Sequence, residues 1–124
     1  MKKLFSGGWI VTCDDAGTEH EDGWLLVEDG FVAAVGKGEE PEADVREELA
    51  GAVVTPGLVN THHHLFQTLT RARAQQADLF RWLQELYPVW AGIDAEAEYA
   101  AARTGLAELA LSGCTTVFDH HYVF

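Results

Sequence analysis

Basic residues are scarce in this chain: 124 residues hold 8 Lys and Arg against 20 Asp and Glu, a formal net charge of −12. Nucleic-acid affinity rests on clustered Lys and Arg that neutralise phosphates, so the shortage speaks against a nucleic-acid partner. The chain has 2 cysteines, Cys13 and Cys114, too few and too far apart for a disulfide framework. Their apolar neighbours predict reduced, buried thiols in a cytoplasmic chain, neither of them a nucleophile. No apolar run approaches the ~20 residues of a membrane span. The start MKKLFSGGWIV is basic and then apolar, but Gly7 and Gly8 break it and no small-residue cleavage site follows, so neither a membrane segment nor a secretory signal is expected.

What is present falls into two textures that meet near residue 55. Before it, short β-type runs alternate with turn residues: Trp9 to Thr12, Trp24 to Val27 and Phe31 to Val35. Asp29-Gly30 between two apolar runs predicts a hairpin over 24–35. A charged loop, GKGEEPEAD, follows, and Val45 to Leu49 and Val53-Val54 predict further short strands. This half reads as a small β module.

After Pro56 the pattern becomes βα. Leu58 to Thr61 predicts a buried strand, and 66–76 a loop with a short helix. Leu79, Trp82, Leu83 and Leu86 have helical spacing, and Pro88 is expected to end that helix. Asp94 is the expected N-cap of an Ala-rich helix stopped by Gly113. Cys114 to Phe118 then reads as a second strand. Five of the 6 histidines, His62, His63, His64, His120 and His121, thus sit at the C-terminal ends of two predicted parallel strands. That is where α/β barrels build their active sites.

Strand alternation puts His62 and His64 on one side and His63 on the other, so the i, i+2 pair forms a fork able to bind one ion. A chance polar cluster in a loop is the competing reading. At the second strand, Thr116, Phe118 and His120 share one face and Val117, Asp119 and His121 the other. One of the two histidines can reach the substrate side, and alternation alone does not say which.

The run Pro56-Gly57-Leu58-Val59-Asn60-Thr61-His62-His63-His64 resembles the first-strand HxH motif of the amidohydrolase superfamily. The N-terminal β module, Gln67 three residues past His64, the Trp-containing helix over 79–87 and SGCTTVFDH at 112–120 extend the resemblance towards its deaminase and chlorohydrolase branch, which includes 8-oxoguanine and guanine deaminases and triazine hydrolases. The resemblance implies an α/β fold: a β-sandwich module over 1–55, then the first two β/α units of a (β/α)8 barrel over 56–124. It implies one divalent metal, zinc ahead of iron, held by His62 and His64 and activating a water that attacks an amidine-type ring carbon, with loss of ammonia. His63 is not a ligand in that scheme.

Gln67, Trp82 and His120 are the candidate substrate contacts. Gln67 offers donor and acceptor to a heterocycle edge but could equally face solvent. Trp82 could close over the pocket or simply belong to the core. The partner expected is a small heterocycle, with the whole enzyme a homo-oligomer. A barrel takes about 250 residues, so the remaining ligands, the base and the proton shuttle are expected on later strands, with no catalytic residue in this portion and no catalysis by these residues alone. The activity expected of the whole enzyme is deamination of an aminopurine-like ring of the 8-oxoguanine or guanine type, and the alternatives are a non-catalytic metal-binding or interaction module derived from such an enzyme and a triazine- or chlorohydrolase-type enzyme.

Overall fold

The computed structural model describes residues 1–122 and divides after Pro56 into two compact units. In the first, β1 (Lys2–Val11), β2 (Glu19–Glu28) and β3 (Phe31–Lys37) form an antiparallel meander. β4 (Val45–Glu48) and β5 (Val53–Val54) pair in parallel with the other side of β1. β1 buries Leu4, Ser6, Gly8 and Ile10 in strict alternation, the period of two that a strand with one covered face requires. Its partner changes from β4 to β5 at Gly7, whose φ of 76° accompanies a bulge against β2. Asp29 and Gly30 turn β2 into β3 with φ of 50° and 87°, the doubly left-handed backbone of a type I′ hairpin.

The described residues of this unit form that one sheet and do not supply the second layer of a sandwich. The expectation of two buried thiols is corrected. Cys13 is exposed at φ 55° just after β1, and Cys114, in the second unit, is only half-buried. The apolar residues beside Cys13 lie in β1, whereas Cys13 itself has left the sheet and turns towards solvent.

The second unit runs β6 (Leu58–His63), a 3₁₀ helix (Leu65–Thr70), α1 (Leu79–Trp90), α2 (Ala95–Leu111) and β7 (Cys114–Asp119), with β6 and β7 parallel. Asp78 caps α1 by accepting from the Arg81 N–H at 2.9 Å, and Asp94 caps α2 by accepting from the Ala97 N–H at 2.8 Å. Gly113, at φ 85°, stops α2 and turns the chain into β7.

Pro88 does not end α1, which continues to Trp90. The proline lies in the last turn, where its ring removes one N–H. The Ala91 N–H still closes the helix on the Tyr87 carbonyl at 2.9 Å. Trp90 is the reason to continue. It is buried against Phe66 and Leu86, with Trp82, Leu83 and Ile93 packed around them, and its indole N–H donates to Thr70 Oγ1 at 3.0 Å. Burying an apolar side chain of this size contributes about 1.5–3 kcal/mol, which offsets the lost helix bond. The same contacts fix the 3₁₀ helix, and with it the chain directly after the histidines. No helix among the described residues is long and apolar enough to cross a membrane.

Candidate active site

β6 ends in the histidine run, and the strand geometry sorts the three rings. His62 and His64 approach each other with Nε2 to Nε2 at 3.1 Å. His63 turns elsewhere, its Nδ1 lying 3.4 Å from Asn60 Nδ2. Asn60 also accepts the His62 N–H through Oδ1 at 3.0 Å, which fixes the backbone of the first histidine.

His64 is oriented from β7. Its Nδ1 lies 2.7 Å from the His120 carbonyl oxygen. A carbonyl can only accept, so Nδ1 carries the proton, and of the two neutral tautomers this selects the one with a bare Nε2 lone pair towards His62. Metal-bound histidines carry this same outer hydrogen bond. Two nitrogens each about 2.0–2.1 Å from a tetrahedral ion lie about 3.3 Å apart, so the observed Nε2 separation fits a shared metal, and imidazole donors suit zinc or iron. Two donors do not complete a site, and among the described residues no group of three or more His, Cys, Asp or Glu converges.

His120 places its ring beside this pair, with centroids 4.3 Å from His62 and 5.7 Å from His64. His121 lies on the other side of the strand end, its Nδ1 3.6 Å from Glu98 and 3.7 Å from Asp119. The choice that alternation left open falls on His120 as the neighbour of the pair.

A cleft of about 350 Å³ opens over the histidines, lined by His62, His63, His64, Gln67, Arg73 and Trp82 among others. Gln67 faces into it and donates from Nε2 to Tyr122 Oη at 3.3 Å. Trp82 packs on Trp90 at 5.1 Å between centroids and also lines the cleft. His120 is not part of the cleft wall. Tyr122 was not singled out from sequence, although it lies two residues beyond His120, where alternation carried past the strand would return a side chain to the same side. Its ring meets His64 at 5.4 Å, and burial holds its phenol above the usual tyrosine range, opposed by the hydrogen bond from Gln67. Arg71, also in the cleft wall, is tied to Glu108 by a two-pronged ion pair that lowers the Glu108 carboxyl below its ordinary range.

The profile of the amidohydrolase family matches residues 53–123, over half of the chain, including β6, β7 and the five histidines at their ends. The chain belongs to the amidohydrolase family. This amidohydrolase is 51% identical over 107 residues to an 8-oxoguanine deaminase of Pseudomonas aeruginosa, covering 82% of this chain and 24% of that protein. It is 38% identical over 128 residues to a hydroxydechloroatrazine ethylaminohydrolase of Pseudomonas sp. strain ADP, covering 91% of this chain and 26% of that protein. Among solved structures it resembles a zinc complex of atrazine chlorohydrolase from Arthrobacter aurescens TC1 with a TM-score of 0.85 and 30% identity, over 94% of this chain and 28% of that one. An adenosine deaminase from Xanthomonas campestris with bound zinc gives a TM-score of 0.82 at 28% identity, over 97% of this chain and 29% of that one. The amidohydrolase chain described here therefore spans about a quarter of the length of these relatives.

Proposed function

We propose that the whole protein is a metal-dependent aminohydrolase that deaminates an oxo-aminopurine of the 8-oxoguanine type, with His62 and His64 as two of the ligands of one divalent metal, zinc by preference. The observation that carries the reading is the His62–His64 pair, whose Nε2 atoms lie 3.1 Å apart with the His64 tautomer set by the His120 carbonyl. When bound, the metal would supply Lewis-acid activation of water for attack on the ring carbon bearing the amino group. On this reading β6 and β7 are the first two strands of a (β/α)8 barrel. The exposed Leu58, Val59 and Phe118 on them then wait for further barrel packing, and the remaining ligands and the proton carrier come from later strands. The first unit would be one layer of a β-sandwich.

The residues of this chain divide the work of holding the ring. Gln67 has Nε2 engaged on Tyr122, which leaves Oε1 and a second N–H for the mixed donor and acceptor edge of a purine. Trp82 offers an apolar wall, and the ring of His120 stands beside the ligand pair. In a chain of net charge −12, the cleft wall carries Arg73, together with Arg71 already paired to Glu108, and no carboxylate among the described lining residues. Such a wall favours an electron-rich, oxo-substituted ring. The 51% identity to the 8-oxoguanine deaminase points the same way.

A triazine is the second substrate reading, favoured by the match to the hydroxydechloroatrazine ethylaminohydrolase. Steady-state ammonia release from 8-oxoguanine, guanine and an aminotriazine by the whole protein tests the proposal. The highest kcat/KM is expected on 8-oxoguanine. A preference for the triazine moves the assignment to the second reading, and no release from any of the three overturns aminohydrolase activity on these rings.

A further inference from the structure

His64 occupies an unusual place in the chain. It is the N-cap residue of the 3₁₀ helix Leu65–Thr70, yet its side chain makes no capping hydrogen bond. A helix start leaves backbone N–H groups without intrahelical partners, and a side chain at the N-cap usually satisfies one of them. Here the imidazole turns to His62 instead, so the local cap is given up.

The missing acceptor comes from the other strand. Asp119, the last residue of β7, accepts the Leu65 N–H through Oδ1 at 2.8 Å. The next residue, His120, donates its own N–H to the His63 carbonyl at 2.7 Å and accepts from His64 Nδ1 at 2.7 Å. His64 is therefore gripped on both sides by two consecutive residues. The His120 backbone holds the His63 carbonyl and the imidazole, and the Asp119 carboxylate holds the peptide that follows. The second carboxylate oxygen, Oδ2, faces His121 Nδ1 at 3.7 Å, and His121 in turn faces Glu98 of α2 at 3.6 Å. Asp119 is thus braced towards the helix layer.

We propose that Asp119 is a positioning residue for the metal site: as a remote cap on Leu65 it fixes the backbone of His64 and so the approach of His64 Nε2 to the ion. The proposal rests on the assignment of His64 as a ligand. The carboxylate touches neither metal nor substrate. What matters is an acceptor oxygen at that point, and its charge is secondary. An amide oxygen of the same reach therefore preserves the site, whereas a methyl group lets the strand end and the ring relax. Loss of such an outer partner typically weakens metal binding 10–100-fold.

The test uses the whole protein loaded with Co²⁺, read by chelator competition for affinity and by the visible d–d spectrum for ligand geometry. Asp119→Asn is expected to bind within about threefold of the parent protein and to show its spectrum. Asp119→Ala is expected to bind roughly 10–100-fold more weakly, with an altered spectrum. Asp119→Ser, whose hydroxyl is too short to reach Leu65, replaces the alanine variant if that one does not fold. Parental affinity and spectrum in the alanine or serine variant overturn the proposal, as does an asparagine variant as weak as alanine. His64→Ala in the same titration separates the two levels. Parental Co²⁺ binding there overturns the ligand assignment itself, whereas lost binding there beside parental binding in Asp119→Ala overturns the positioning role alone.

Discussion

At the scale of single residues, a hydrogen bond settles what a histidine can do. The His120 carbonyl makes His64 a lone-pair donor at Nε2, and the Asn60 amide keeps His63 occupied away from that pair. Gln67 is placed in the same way, its amide held by Tyr122 rather than left to solvent. Burial raises the Tyr122 phenol, so that hydroxyl stays protonated through the ordinary tyrosine range and is lost only as pH rises through the raised value. For the whole protein, Gln67→Ala is expected to lower kcat/KM on an oxo-aminopurine by about 1–3 kcal/mol, because a buried polar edge of the substrate loses its partner. Metal content should not change, since His62 and His64 both precede the 3₁₀ helix that carries Gln67. Steady-state kinetics beside metal analysis checks both halves, and an unchanged kcat/KM removes Gln67 from the site.

Sequence reasoning reached the His62–His64 fork because a strand alternates with a period of two whatever surrounds it. It could not choose between His120 and His121. That choice depends on Glu98, more than twenty residues earlier on α2, facing His121 from the helix side. Nor could it see Asp119 as the partner of Leu65, a contact that exists only once β6 and β7 lie side by side.

At the scale of elements, local chemistry predicted boundaries well wherever one residue decides them. Asp29-Gly30 made the hairpin, Asp94 capped α2 and Gly113 ended it. Pro88 misled because tertiary packing won: Trp90, two residues further on, is fully buried, and α1 carries it there despite a lost N–H. Gly105 is a second such case. It lies inside α2, where glycine is a poor helix former, but an added Cβ would come within 2.8 Å of Leu65 Cδ2 and 3.0 Å of Thr68 Oγ1. Leu65 is itself buried and cannot easily give way. Gly105→Ala gains about 1 kcal/mol of helix propensity and loses about 1–3 kcal/mol to overpacking, so a lower Tm is expected. Thermal unfolding of the whole protein decides the sign, and a raised Tm would show that the 3₁₀ helix has room to move.

At the scale of the molecule, the chain brings together two histidine-capped parallel strands, a cleft without a carboxylate in its described wall, and membership of a family whose zinc-bound relatives are several times longer. The two units were legible as textures, β before Pro56 and βα after it. The sandwich was expected from the family resemblance alone, and the described residues of the first unit form one sheet, whose alternating face looks the same whatever covers it. On the proposed function, His62 and His64 share one ion while His63 does not. Metal analysis of the whole protein and its three single alanine variants tests it most directly. About one transition metal per chain is expected in the parent protein and in His63→Ala, and its loss in His62→Ala and in His64→Ala. Equal loss in all three variants, or full metal content in either His62→Ala or His64→Ala, would contradict it.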